Sequence, residues 1–145
     1  MYDLKTDTWK MLPWMNQARW FHASCCLQDF VYVLCGLSIL SNHNKIERLD
    51  CTKIEANEAT WELIQLPEVD LKPRSDLAAI SISSTEILIL GGRNKDTRFS
   101  DVLIFNTQSK KCITKHESKL LPTGFTVLHN QCFSPISTTQ CDDDC

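Results

Sequence analysis

The feature that most constrains this chain is a repeat of about 55 residues whose markers return in the same order. Arg19 comes back as Arg74, 55 residues on, and Gly36 comes back as Gly92, 56 on. Leu12-Pro13 recurs as Leu66-Pro67 and again as Leu121-Pro122, at steps of 54 and then 55. Trp9 recurs as Trp61, with Cys112 in the third place. Tyr2-Asp3 recurs as Leu49-Asp50 and then as Phe105-Asn106. A period of this length marks one supersecondary unit used several times, each copy burying an apolar face against its neighbour.

Helical periodicity is weak throughout, and short β-branched and aromatic runs are broken by Asn, Asp, Ser, Thr, Gly and Pro. The pattern predicts strands at Trp9–Leu12, Phe21–Leu27, Phe30–Cys35, Ile46–Asp50, Thr60–Ile64, Leu77–Ser83, Ile87–Gly91, Val102–Asn106, Lys111–Lys115 and Phe125–His129. Each unit opens with Arg and a small-residue strand, turns, and runs into an apolar strand that ends in glycine. A polar loop then leads to a third strand, and a fourth carries Trp and closes with Leu-Pro. Four antiparallel strands per unit make one propeller blade, so the fold class is all-β.

Physical chemistry assigns the parts. The small-residue strand suits the crowded position nearest a central channel. The apolar strand is expected to be buried on both faces. Gly36, Gly91 and Gly92 allow positive φ and close backbone approach where the chain leaves that strand. Trp9 and Trp61 are expected to pack one blade on the next. Pro13, Pro67 and Pro122 end the outer strand, since proline cannot donate to a ladder.

These markers resemble the kelch repeat: a double glycine after an apolar strand, then Tyr-Asp, then Trp. Gly91-Gly92 matches the double glycine, and Cys35-Gly36 matches half of it. Tyr2-Asp3 with Trp9 fits the second part well, while Leu49-Asp50 with Trp61 and Phe105-Asn106 with Cys112 fit it loosely. The resemblance covers roughly residues 2–129. It implies an incomplete β-propeller of about two to three blades, where closure needs about 4–8. Residues 1–17 read as the last strand of a preceding blade. Residues 18–72 and 73–122 read as kelch repeats, 123–137 as the start of a further blade, and 138–145 as an acidic, disordered Cys-containing tail. The extra length relative to the usual kelch unit is expected in the loops Leu37–Lys45 and Cys51–Ala59. The chain is expected to be a fragment, a truncated product or one part of a larger assembly, with self-association as a way to complete the propeller.

The resemblance also implies partner binding by loops at one mouth of the channel. Arg19 and Arg74 stand near such a mouth and suit an acidic partner segment; the competing, favoured reading has them satisfy inter-blade carbonyls or carboxylates. Arg93, Lys95 and Arg98, in the loop after Gly92, are further partner-binding candidates. This loop lacks the spacing of a phosphate loop. His22 beside Ser24 and Cys25 lacks a third orienting group and reads as a packed, hydrogen-bonded histidine. His43 and His116 read as surface residues. His129, Cys132, Cys141 and Cys145 offer four zinc-type ligands at an unfamiliar spacing, and no metal or cofactor is expected.

A net charge of −3 provides no basic stripe for nucleic acid, and no apolar run is long enough to span a bilayer. The N-terminus lacks a signal peptide's apolar region, so the cytoplasm is the expected setting. Of the eight cysteines, Cys25, Cys26, Cys35 and Cys51 fall in or beside apolar strand patterns and read as buried, reduced thiols. The sequence therefore points to a non-catalytic protein-interaction scaffold, such as a ubiquitin-ligase substrate receptor or a cytoskeletal protein. The alternatives are a fragment without independent activity and part of a kelch-like oxidase or sugar-modifying enzyme.

Overall fold

The computed structural model describes residues 1–67 and 71–117. Leu121-Pro122, the expected strand Phe125–His129, the regions 123–137 and 138–145, and the His129, Cys132, Cys141 and Cys145 set lie outside the described residues. Ten strands are described. The first two, β1 (Tyr2–Asp3) and β2 (Thr8–Trp9), form a small hairpin. Next come β3 (Ala23–Leu27), β4 (Phe30–Leu34), β5 (Ile46–Asp50) and β6 (Trp61–Ile64), and then β7 (Ala78–Ser81), β8 (Glu86–Leu90), β9 (Asp101–Asn106) and β10 (Lys111–Glu117). The second and third groups are two four-stranded antiparallel sheets, ordered β3-β4-β5-β6 and β7-β8-β9-β10. Each is a meander of kelch-blade form. Among the described residues no helix is long and apolar enough to cross a membrane.

The sheets share one core. Cys25, Leu27, Tyr32, Leu34 and Ile46 of the first blade cluster with Leu77, Ala79, Ile87, Ile89 and Phe105 of the second. Tyr32 and Phe105 meet edge to face with ring centroids 6.5 Å apart. Alternation of side chains along each strand places these residues on the faces that meet. The small-residue strands β3 and β7 lie at neighbouring sheet edges, as expected of the innermost strands. The chain also stitches the blades together by backbone bonds from Gly36 N to Arg74 O, Arg74 N to His43 O and Asp76 N to Phe21 O.

Several boundaries differ from the sequence reading, for identifiable reasons. The first small-residue strand begins at Ala23 because Phe21 adopts φ of 52°, in the left-handed region. Its counterpart begins at Ala78 because Asp76 does the same, at φ of 55°. Cys35 and Gly91, each at the end of an apolar strand, have φ of 58° and 57°, and Gly36 and Gly92 follow at 104° and 96°. A double glycine therefore marks two successive residues with positive φ, and Cys35 occupies such a site without being glycine. The first blade carries its extra length in the connection 51–60, which includes a 3-10 turn at Cys51–Lys53. The second blade spans the same gap with the tight turn 107–110.

Trp9 does not pack between blades. It is 80% exposed, and its ring lies tilted against Tyr2 at 5.1 Å between centroids. Trp61 is half-buried instead, beside a cluster of Leu49, Ile54, Ala59 and Leu12. Its indole Nε1 donates to Pro13 O at 3.0 Å, tying the leading segment to the first blade. Cys26 is exposed rather than buried, because it points to the outer side of β3 where Cys25 points inward.

Candidate functional site

Strand register divides the connections between two ends of the sheets. Ala23 pairs with Leu34 and Leu34 with Ile46, while Ala78 pairs with Leu90 and Leu90 with Val102. The loops 35–45 and 91–100 therefore share one end with the segments leading into β3 and β7. This is the end that the resemblance assigns to a channel mouth, the mouth end. The turns at 28–29, 51–60, 82–85 and 107–110 share the other. At that second end Cys26, Leu27, Gln28 and Ser81–Ser84 line an inter-blade cleft of about 380 Å³.

Arg19 and Arg74 are at the mouth end, but neither reaches the surface. The Arg19 guanidinium donates to Cys35 O and Lys45 O, each at 2.8 Å, and to Glu47 Oε1 at 2.5 Å. Both side chains of this ion pair are fully enclosed. Glu47 is completed by the Asn16 backbone N–H and side-chain amide and by the Gln17 N–H. Arg74 grips both carboxylate oxygens of Asp101, at 2.6 and 2.9 Å, donates to Gly91 O at 2.9 Å and lies 4.0 Å over the Phe99 ring. These contacts lie within each blade, not between blades. A buried guanidinium needs such a full set of acceptors, because an unpaired charge in low dielectric is costly. The two arginines are pins that fix each loop to its own sheet.

The loops themselves are paired hairpins. In the first blade, Trp20 bridges Leu37 and Leu37 bridges Asn42, with Ser38 N bonded to Ser41 O across the tip. In the second, Ser75 bridges Arg93 and Arg93 bridges Arg98, with Asn94 N bonded to Thr97 O. Asn94 Oδ1 also accepts from the N–H groups of Asp96 and Thr97, an Asx-type closure of that tip. The hairpins touch, since Asn42 Nδ2 donates to Arg93 O at 3.4 Å.

Their tips differ in chemistry. Ile39 and Leu40 crown the first and are 90% and 93% exposed. Trp20 and Phe21 are partly exposed at the base of that hairpin. Lys95 and Arg98 are exposed on the second, and Arg93 donates to Asp76 Oδ2 at 2.7 Å from a largely exposed position. Of the five cationic candidates, three thus stand on the surface and two are internal. Sequence reasoning missed Trp20, Phe21, Ile39 and Leu40. The available signal was an apolar pair set in a polar run, Ser38-Ile39-Leu40-Ser41-Asn42, where no strand was expected.

Two histidines sit just beneath. His43 is half-buried, with an enclosed Nε2 that has no partner among the described residues, so it is not the surface residue expected. His22 packs against Gly36, and its Nδ1 likewise lacks a partner among the described residues. Burial and then the Arg19 charge hold both imidazoles below their ordinary pKa. Burial pushes the Cys35 thiol up to about 12, which leaves it a poor nucleophile. Cys35 and Cys51 form no disulfide among the described residues. Among the same residues no group of three or more His, Cys, Asp or Glu side chains could hold a metal ion.

Two four-stranded meanders with left-handed residue pairs after the apolar strand, and an Arg pin before the small-residue strand, define kelch-type blades. The chain is 33% identical over 97 residues, 67% of its length, to an F-box/kelch-repeat protein of Arabidopsis thaliana. It is 33% identical over 69 residues, 48% of its length, to a second protein of the same plant named for the same combination. The similarity spans 24% and 22% of the length of these two relatives. No family model matches the chain. Fold and similarity together place it among kelch-repeat proteins.

Proposed function

We propose that the chain is a non-catalytic protein-interaction module that holds its partner at the mouth end. The observation that carries this reading is the side-by-side pair of short hairpins. One presents Ile39 and Leu40, and the other presents Lys95 and Arg98. Arg98, and Trp20 at the base of the first hairpin, are of the types enriched at interface hot spots, and Ile39 and Leu40 add exposed apolar area beside them. The pins beneath hold the hairpins in place, which lowers the ordering cost of association. The names of the two relatives support a place in a ubiquitin-ligase adaptor, with the blades receiving a substrate protein. A cytoplasmic setting agrees with that role, and no nucleic acid, membrane or cofactor takes part in it.

The test begins with peptides selected from a random library on the full chain. The variants Trp20→Ala and Ile39→Ala at the mouth end are then compared with Gln28→Ala and Ser84→Ala at the opposite end. Binding weakened by the first pair and retained by the second is the expected result. The reverse pattern contradicts the reading.

A further inference from the structure

Resting on the mouth-end reading, we infer that the partner segment is acidic and carries large apolar side chains, and that it lies across both hairpin tips. Its apolar groups pack on Ile39 and Leu40, and its carboxylates pair with Lys95 and Arg98. Three observations carry this.

The first is division of labour between equivalent positions. The backbone bridges match Leu37 to Arg93 and Asn42 to Arg98, so the Ile39-Leu40 tip corresponds to Lys95-Asp96. The same hairpin, used twice, offers grease once and charge once. The second is that contact between the hairpins, through Asn42 and the Arg93 carbonyl, lets a single extended segment reach both tips. The third is charge balance. Arg93 is already paired with Asp76 inside the chain, whereas Lys95 and Arg98 are exposed and make no ion pair among the described residues. These two cations are the ones available to an incoming carboxylate, and Arg98 suits a two-point grip.

An anionic bilayer would also attract an apolar tip flanked by cations. A protein segment is favoured because Lys95 and Arg98 are two exposed cations, fewer than the cluster of about 4–8 that marks an anionic-lipid site.

The experiment uses the full chain and a random linear peptide library, followed by fluorescence anisotropy with synthetic copies of the enriched peptides. Enrichment of peptides that combine Asp or Glu with Leu, Ile, Phe or Trp is expected. The double variant Ile39→Ser with Leu40→Ser, folded as judged by circular dichroism, is expected to bind them about tenfold or more weakly. Lys95→Glu with Arg98→Glu is expected to weaken them as well and to flatten the salt dependence. Enriched peptides that are neutral or basic overturn the inference. So do acidic ones that ignore both double variants. If such peptides still lose affinity on Trp20→Ala, the mouth-end reading survives while this inference falls. Peptides indifferent to every mouth-end change overturn both. Sedimentation with phosphatidylserine vesicles that is abolished by the Ile39 and Leu40 double variant assigns the tip to lipid and also overturns it.

Discussion

The two blades solve one problem in two ways. Each must hold a loop over the end of its sheet with a buried arginine. The first pairs Arg19 with one oxygen of Glu47 and adds three carbonyls, those of Gln17, Cys35 and Lys45. The second pairs Arg74 with both oxygens of Asp101 and adds two carbonyls, those of Lys72 and Gly91. By register Asp101 corresponds to Lys45, so the carboxylate has moved two residues along the strand, on the same face, toward the mouth. A shorter acid nearer the loop does the work of a longer acid set deeper. The first blade also tolerates Phe21 and Cys35 at positive φ where the second has Asp76 and Gly91. The difference teaches that the repeat conserves geometry, a pin and a pair of left-handed residues, rather than the side chains that achieve it. With the pins fixed, the tips are free to diverge, and they do, into an apolar and a charged hairpin.

Breaking the deeper pin gives the largest expected effect. Glu47→Ala strands a fully buried Arg19 and removes the acceptor for Asn16 and Gln17. It should cost about 3–5 kcal/mol, read by denaturant unfolding. Asp101→Ala, at a partly exposed carboxylate, should cost less, about 1.5–3 kcal/mol. Equal losses would mean that the two pins are not different solutions.

Gly92→Ala probes the left-handed pair. An added Cβ would lie 2.8 Å from Ser75 O at φ of 96°, so a loss of about 1–3 kcal/mol is expected. Gly91→Ala meets only Phe99 O, at 3.2 Å, and should be milder. The comparison sharpens in the opposite direction with Phe21→Asn, which places a tolerant residue where the second blade has Asp76. A gain of up to about 1 kcal/mol in thermal unfolding is expected, offset by any contact the ring makes.

The smallest effect is one of pH. His22 and His43 have folded-state pKa values below the ordinary one, so the unfolded chain binds more protons in the window below about 6.5. Stability should therefore be full above that window and fall as the pH drops through it. His22→Gln with His43→Gln should flatten the slope of Tm against pH in that range, and an unchanged slope would assign it to other groups.

Much of this fold was legible in the sequence because repeat spacing and strand alternation are local signals. Gly91-Gly92 announced its own backbone, since few residues but glycine accept two consecutive positive φ values. Cys35-Gly36 concealed the same conformation, because thiol and glycine share no composition cue. The fates of Arg19 and Arg74 were harder to read. Their acceptors lie 28 and 27 residues away, across strands whose register the sequence does not print. A carboxylate within the expected strand Ile46–Asp50 was the available hint, since a charge buried in a central strand needs a partner. Trp9 misled because a family marker was read as a packing role, whereas the short hairpin β1-β2 leaves its ring in solvent. The apolar tip went unnoticed because a loop was expected to be polar throughout.

The most direct test of the central claim is hydrogen exchange of the full chain, followed by mass spectrometry, with and without a selected peptide. Added protection is expected in 37–42 and 91–100, with none at 28–29, 82–85 and 107–110. Protection confined to those turns would contradict the account, because the partner would then be held at the opposite end of the blades.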